Sequence, residues 1–179
     1  AASLAAMPED LRIAYKGGRF DEGLRDAPNQ IIPTHWVREA QVRWEPKPPI
    51  AVPMCAMGVD ASGGGRDPMI IAMRHDGWYA PFVIVPGKEI PMDFAGRYTA
   101  GIIVTHRRDM ATVIIDLGGG FGSSAYEHLL QNSIETVGYK GSEASHKRTH
   151  DGKFGFKNKR TEALWVFRES LDPGQAGGS

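Results

Sequence analysis

Two aspartates stand in matching surroundings. Asp60 closes the apolar run Met57-Gly-Val-Asp and Asp116 closes Val113-Ile-Ile-Asp; a glycine-rich stretch follows each at once. A short apolar run bounded by glycine reads as a buried strand, and ligands of open α/β sheets gather beyond the carboxyl ends of strands. If the two strands are neighbours, their carboxylates meet at one sheet edge. Anions that close repel strongly and want a cation between them. A hard divalent ion with oxygen ligands, Mg²⁺ or Mn²⁺, is the natural one, and the glycines leave room for a phosphate backbone. Two-metal phosphodiester cleavage needs this arrangement, one ion activating water and the other steadying the leaving oxygen. The plainer reading has each aspartate capping the turn after its strand, and the sequence leaves both open. Asp67, one turn from Asp60, is a third candidate: a metal ligand, a group supporting the ligands, or only the partner of Arg66.

A basic tract is the second signal. Between Lys140 and Glu169 eight cations face four carboxylates, Glu143, Asp151, Glu162 and Glu169, with His146 and His150 beside them. In a chain with 21 Lys+Arg and 21 Asp+Glu, such a local excess marks a candidate phosphate-contact surface. Lys147, Arg148, Lys153, Lys157, Lys159 and Arg160 are its candidate DNA contacts, set against the commoner explanation of a solvated charged face. The two histidines are four apart, yet no acidic or cysteine partner completes a zinc set.

The elements that must position these groups can be read from periodicity. Ala51–Asp60, Met69–Arg74, Trp78–Pro86, Ala111–Asp116 and Glu135–Tyr139 read as strands. Helices are expected over Leu4–Tyr15, from His35 to about Val42 with Thr34 as cap, over Phe94–Arg107 despite Gly96 and Gly101, and from Ser123 or Ser124 to Asn132 with Ala125, Leu129 and Leu130 on one face. A last helix, capped by Asn158, should turn Ala163, Leu164, Phe167 and Leu171 inward. Gly141–Lys157 reads as polar and mobile. Trp36, Val37, Ala40 and Trp44 form a helical stripe suited to packing against a neighbour. The order β, β, β, α, β, α, β, α argues for a mixed α/β sheet with helices on its faces. Glu45-Pro-Lys-Pro-Pro49 is a stiff linker, which divides a lead-in over residues 1–49 from a domain over 50–179.

Composition bounds the rest. At 179 residues the chain is one domain, or one with a tail. Zero formal net charge excludes a uniformly basic nucleic-acid binder, and 41% hydrophobic residues exclude a disordered chain. The 22 glycines and 12 prolines favour strands and turns over a helical bundle. Cys55, the one cysteine, can form no internal disulfide and reads as a small buried hydrophobe in a reducing compartment. No apolar run reaches the roughly 18 residues of a membrane span, and no signal peptide is evident. Both termini, Ala1 and Ser179, read as cuts through a longer protein.

Four stretches, in this order, resemble the C-terminal nuclease region of the large terminase subunit of tailed bacteriophages, the DNA-packaging motor protein. Gly17-Gly-Arg-Phe20, with Gln30-Ile-Ile-Pro-Thr-His-Trp-Val37 and Ala40-Gln-Val-Arg-Trp44, looks like the segment joining motor ATPase to nuclease. Gly58-Val-Asp-Ala-Ser-Gly-Gly-Gly-Arg-Asp67 and Val113-Ile-Ile-Asp-Leu-Gly-Gly-Gly-Phe-Gly122 look like the two acidic strands with their turns. Phe156-Lys-Asn-Lys-Arg-Thr-Glu-Ala-Leu-Trp165 looks like the family's Asn-x-Arg-x-Glu helix start. The resemblance implies an RNase H-like mixed sheet flanked by helices. It implies a metal-dependent endonuclease that cuts concatemeric double-stranded viral DNA in the host cytoplasm, using Mg²⁺ or Mn²⁺. Portal protein and the small terminase subunit are its implied partners. It places catalytic carboxylates at Asp60 and Asp116 and matches Asp67 in the first turn. The family's third carboxylate, before a late helix, has no counterpart here, and neither Glu162 nor Asp172 is taken as its substitute. No Gly-x-x-x-x-Gly-Lys-Ser/Thr phosphate loop occurs.

Two rivals use the same residues. Asp116-Leu-Gly-Gly-Gly120 resembles a phosphate loop of the actin, heat-shock chaperone and sugar-kinase ATP-binding fold, but that fold needs two lobes, more than 179 residues supply. The other rival is a non-catalytic DNA-gripping or docking module.

Overall fold

The computed structural model describes residues 26–174 apart from Pro28. The helix expected over Leu4–Tyr15 and the Gly17–Phe20 stretch lie outside the described residues. Within them, helix α1 (Thr34–Arg43) precedes a six-stranded mixed sheet. Strand β1 (Ala56–Asp60) pairs antiparallel with β2 (Met69–His75) and parallel with β5 (Thr112–Asp116), which pairs parallel with β6 (Thr136–Tyr139). Strands β3 (Trp78–Tyr79) and β4 (Val83–Val85) lie against β2, one after the other. Helix α2 (Ala95–His106) connects β4 to β5, α3 (Gly122–Gln131) connects β5 to β6, and α4 (Lys159–Ser170) closes the described chain. Parallel neighbours need long crossovers, and the helices supply them.

Side chains alternate across the sheet with the two-residue period of a strand. Met57 and Val59 of β1, Ile71 of β2, and Val113 and Ile115 of β5 point to one face and are buried under Ile103 of α2 and Ala125 and Leu129 of α3. The helices come close because Gly96 faces Ser124, where a Cβ would collide with the serine. The glycine that argued against α2 in the sequence is what admits its neighbour. The opposite face carries Gly58, Asp60, Ile114, Asp116, Val137 and Tyr139, all at least partly exposed.

Several sequence expectations are corrected. The first strand covers only Ala56–Asp60, because Ile50 and Ala51 form a turn, closed by the Val52 N–H donating to Pro49 O at 3.3 Å, and Pro53 has no N–H for a ladder. The third strand is two. Tyr79 pairs with Arg74 and Val83 with Ile71, so three residues, Ala80 to Phe82, oppose two on β2. That is a bulge, and Pro81 sits in it. Cys55 is exposed, since the run around it alternates instead of being buried throughout. Thr34 lies inside α1 with Pro33 at the cap position; its N–H is taken up by Asp26 Oδ1 at 2.9 Å. Neither Ser123 nor Ser124 caps α3, which starts at Gly122, and Leu130 turns outward. Asn158 does cap α4, its Oδ1 accepting from the Thr161 N–H at 2.9 Å. The helix itself buries no residue: Leu164 and Phe167 stay 42% and 40% exposed, and Ala163 is also exposed. The stretch after β6 is built, not loose. An Arg148–Gly155 bridge closes a small hairpin, with Thr149 and Phe156 buried beneath it.

Candidate active site

The register of β1 on β5 decides the site. Ala56 lies opposite Thr112, and the pairing continues residue by residue to Val59 opposite Ile115. Asp60 and Asp116 are the next residues on parallel strands whose axes lie about 4.8 Å apart. They end their strands at the same edge of the sheet. By the strand period they belong to its open face, away from α2 and α3. No strand-scale rearrangement is needed to bring the two carboxylates side by side.

Their local settings differ. The Gly118 N–H donates to Asp116 Oδ1 at 2.8 Å, and a Cβ on Gly118 would come within 3.0 Å of that oxygen. Turn capping and ligand duty are therefore compatible: one oxygen is held by the turn and the carboxylate is oriented by it. Asp60 is exposed and, among the described residues, accepts no hydrogen bond and joins no ion pair. No described lysine or arginine neutralises either aspartate. Asp67 stands at the same end of the sheet, just before β2, but its neighbourhood is occupied by the turn: its carbonyl accepts from Ser62 Oγ at 2.6 Å. Among the described residues no set of three His, Cys, Asp or Glu side chains is placed to hold a metal ion, so Asp67 does not complete one with the pair.

Tyr139 is a site residue that the motifs do not flag. It pairs with Asp116 across β5 and β6 and shares its face. Burial pushes its phenol above the usual range; the Arg160 guanidinium opposes this, and Asp116 adds to it. The signal was present: Tyr139 ends its strand as the two aspartates end theirs. Asp60, Asp116 and Tyr139 thus form a row across three parallel strand ends.

The basic tract begins at the end of β6, beside Asp116. Much of it is internally compensated. Lys147 pairs with Glu162 at 3.0 Å, Lys153 with Asp151 at 3.3 Å, and Lys159 with Glu143 at 2.6 Å. Arg148 Nε donates to Gly152 O at 2.8 Å and holds the hairpin. Among the described residues Lys157 and Arg160 form no ion pair, and Arg160 lies against Gly141 beside the Tyr139 ring. Glu162 is spoken for: Ser145 Oγ donates to it at 2.7 Å, and this bond, with Lys147, holds its carboxyl below the usual range. Asp172 lies at the other end of α4, past Phe167, whose ring meets Tyr79 edge-on at 6.1 Å. Glu162, like Asp116, acts electrostatically on Tyr139, but among the described residues neither Glu162 nor Asp172 completes a metal-holding set of three with the pair.

The donor chemistry fits a small hard cation. Mg²⁺ and Mn²⁺ sites commonly use one or two carboxylates and complete the shell with water and substrate phosphate. Two uncompensated carboxylates beside glycine turns offer that partial shell and leave the outer side open.

No family model matches the sequence, and no curated protein does. Solved structures do match. The fold is similar to the nuclease domain of the large terminase subunit of bacterial virus Sf6, a point mutant bound to manganese and beta-thujaplicinol, with a TM-score of 0.53, 18% identity, and coverage of 82% of this chain and 69% of that one. The same domain without the mutation gives a TM-score of 0.51 at 18% identity, and the mutant with calcium 0.51 at 17%, both with the same coverage. The chain has the RNase H-like fold of these domains.

Proposed function

We propose that this chain is the nuclease domain of a phage large terminase subunit, a metal-dependent endodeoxyribonuclease that cuts concatemeric double-stranded viral DNA during packaging. Residues 50–179 form the nuclease and residues 1–49 the lead-in from a motor ATPase. The carrying observation is the in-register placement of Asp60 and Asp116 at one edge, uncompensated, in a fold shared with terminase nucleases. The portal protein, the small terminase subunit and the host cytoplasm follow from the family as partners and place of action.

Asp60 and Asp116 are the metal-holding carboxylates. Divalent ions bound there, Mg²⁺ or Mn²⁺, supply an activated water and charge neutralisation at the leaving oxygen. The chain's own part is to fix and to admit. The Gly118 N–H donates to one oxygen of Asp116 and so orients the carboxylate for a cation. Exposed Asp60 faces the side from which substrate arrives. Lys157 and Arg160 supply the uncompensated charge for the phosphate backbone, while Lys147, Arg148, Lys153 and Lys159 hold the hairpin and the start of α4 and add to the field. Asp67 remains a supporting acid of the first turn.

Nicking of supercoiled plasmid in Mn²⁺ tests the reading. The wild-type chain is expected to nick, and Asp60→Asn and Asp116→Asn each to lose the activity while still binding DNA. Salt-sensitive binding with no cleavage by the wild type would replace the nuclease with the gripping module.

A further inference from the structure

The turn after β1 contains a feature that neither the carboxylates nor the basic tract uses. Gly63 and Gly64, consecutive in sequence, each lie under an apolar side chain from a different part of the chain. The Phe121 ring, from the turn after β5, rests on Gly63, where a Cβ would collide with it. Met92, from the turn before α2, lies over Gly64, with its Cγ 2.9 Å from where a Cβ would stand. Gly64 also has a φ of +97°, a conformation that excludes ordinary side chains. Each apolar group is seated on backbone, and its remaining surface faces solvent: Phe121 is 62% exposed and Met92 77%.

The location matters more than the exposure. Gly63 is three residues past Asp60 and Phe121 is five past Asp116, so the ring spans the two turns that flank the carboxylate pair. Apolar carbon there can neither ligate a cation nor pair with a phosphate. What it suits is the uncharged part of a nucleotide, sugar and base, of the same strand whose phosphate reaches the aspartates. Phe and Met are side chains that wedge against base steps in a widened minor groove, and aromatic rings stack on exposed bases of any sequence.

We propose that Phe121 and Met92 form an apolar shelf against which the nucleotides beside the scissile phosphate of duplex DNA pack, unstacking the step that is cut. This rests on the nuclease reading and adds a substrate-positioning surface to it. The basic tract at the same end of the sheet supplies the charge for the flanking phosphates, which supports DNA as the occupant.

The test uses the whole chain in an Asp60→Asn background, with Ca²⁺ present, and a short duplex carrying a fluorescent adenine analogue whose emission rises when unstacked. Binding by the parent is expected to raise the emission. Phe121→Ala is expected to weaken binding roughly tenfold, as loss of a base-stacking side chain does, Met92→Ala to weaken it severalfold as loss of an apolar wedge, and each to abolish the rise. Phe121→Trp is expected to keep both. Unfolding midpoints within error of the parent exclude a purely structural effect, and Met92→Ala gives the answer should Phe121→Ala fail to fold. Unchanged binding and emission in both alanine variants, with cleavage by the wild type intact, overturn the shelf and leave the nuclease standing. A wild type that neither binds nor cuts DNA overturns both. Loss of self-association in place of DNA binding assigns the patch to a second copy and also overturns the shelf.

Discussion

At the scale of single residues, the site is two carboxylates in unlike settings, one gripped by a backbone N–H and one free. On the nuclease reading, a metal held between them would stabilise the folded chain by mass action. At about a hundredfold excess over Kd this amounts to about 2.7 kcal/mol, a rise of several degrees in the unfolding midpoint. Scanning calorimetry with and without Mn²⁺ is expected to show that rise in the wild type and to lose it in Asp60→Asn. A second residue-scale prediction concerns the hairpin after β6. The Thr149 hydroxyl, and then the Lys153 N–H, donate to Asp151 and lower its carboxyl to about 2 from 3.8. A depressed carboxylate contributes stability above its unfolded value and loses it as pH falls through the folded one. The hairpin is therefore expected to stay closed at pH 4 and to open between about pH 4 and pH 2. Amide exchange at Thr149 and Phe154 follows it, and Asp151→Asn is expected to be flat over that window. Exchange that accelerates equally in both proteins would refute the coupling.

At the scale of elements, one of the two glycines read from sequence as weaknesses in α2 is a contact point. Gly96 admits Ser124 between α2 and α3. Gly96→Val is expected to force those helices apart at a cost of about 1–3 kcal/mol, the usual range for overpacking, measured by denaturant unfolding. Gly101, with nothing within 4 Å of a Cβ, is the control: Gly101→Ala should stabilise slightly by helix propensity. Strand β3 and its continuation teach the same lesson in reverse. Periodicity carries the eye from Trp78 to Pro86 without a break, while Pro81 and the extra residue split the run against β2.

At the scale of the whole molecule, α1 and α4 are tied to the sheet by side chains rather than by a buried core. The Arg168 guanidinium lies 4.7 Å from the Trp36 ring centre and 4.6 Å from that of Trp165. Trp44 stacks on Trp78 at 6.4 Å, its Nε1–H donating to Tyr79 O at 2.9 Å. Exposed cation–π contacts contribute about 0.5–1 kcal/mol each, so the attachment is local and breakable. Arg168→Ala is expected to raise hydrogen exchange and proteolysis across Thr34–Arg43 while leaving β1 and β5 protected. Equal loss of protection in the strands would show that α1 is part of the core after all.

The chain's local chemistry determined the strands ending at Asp60 and Asp116, their glycine turns, the Asn158 cap and the alternation of helix and strand, because each depends on residues close in sequence. Tertiary structure alone decided the residue-by-residue register that aligns Asp60 with Asp116, the entry of Tyr139 into that row, the exposure of Cys55 and of α4's apolar side chains, and the seating of Phe121 on Gly63. Those depend on which distant segments meet, and pairing energies between segments leave no periodic trace in either one.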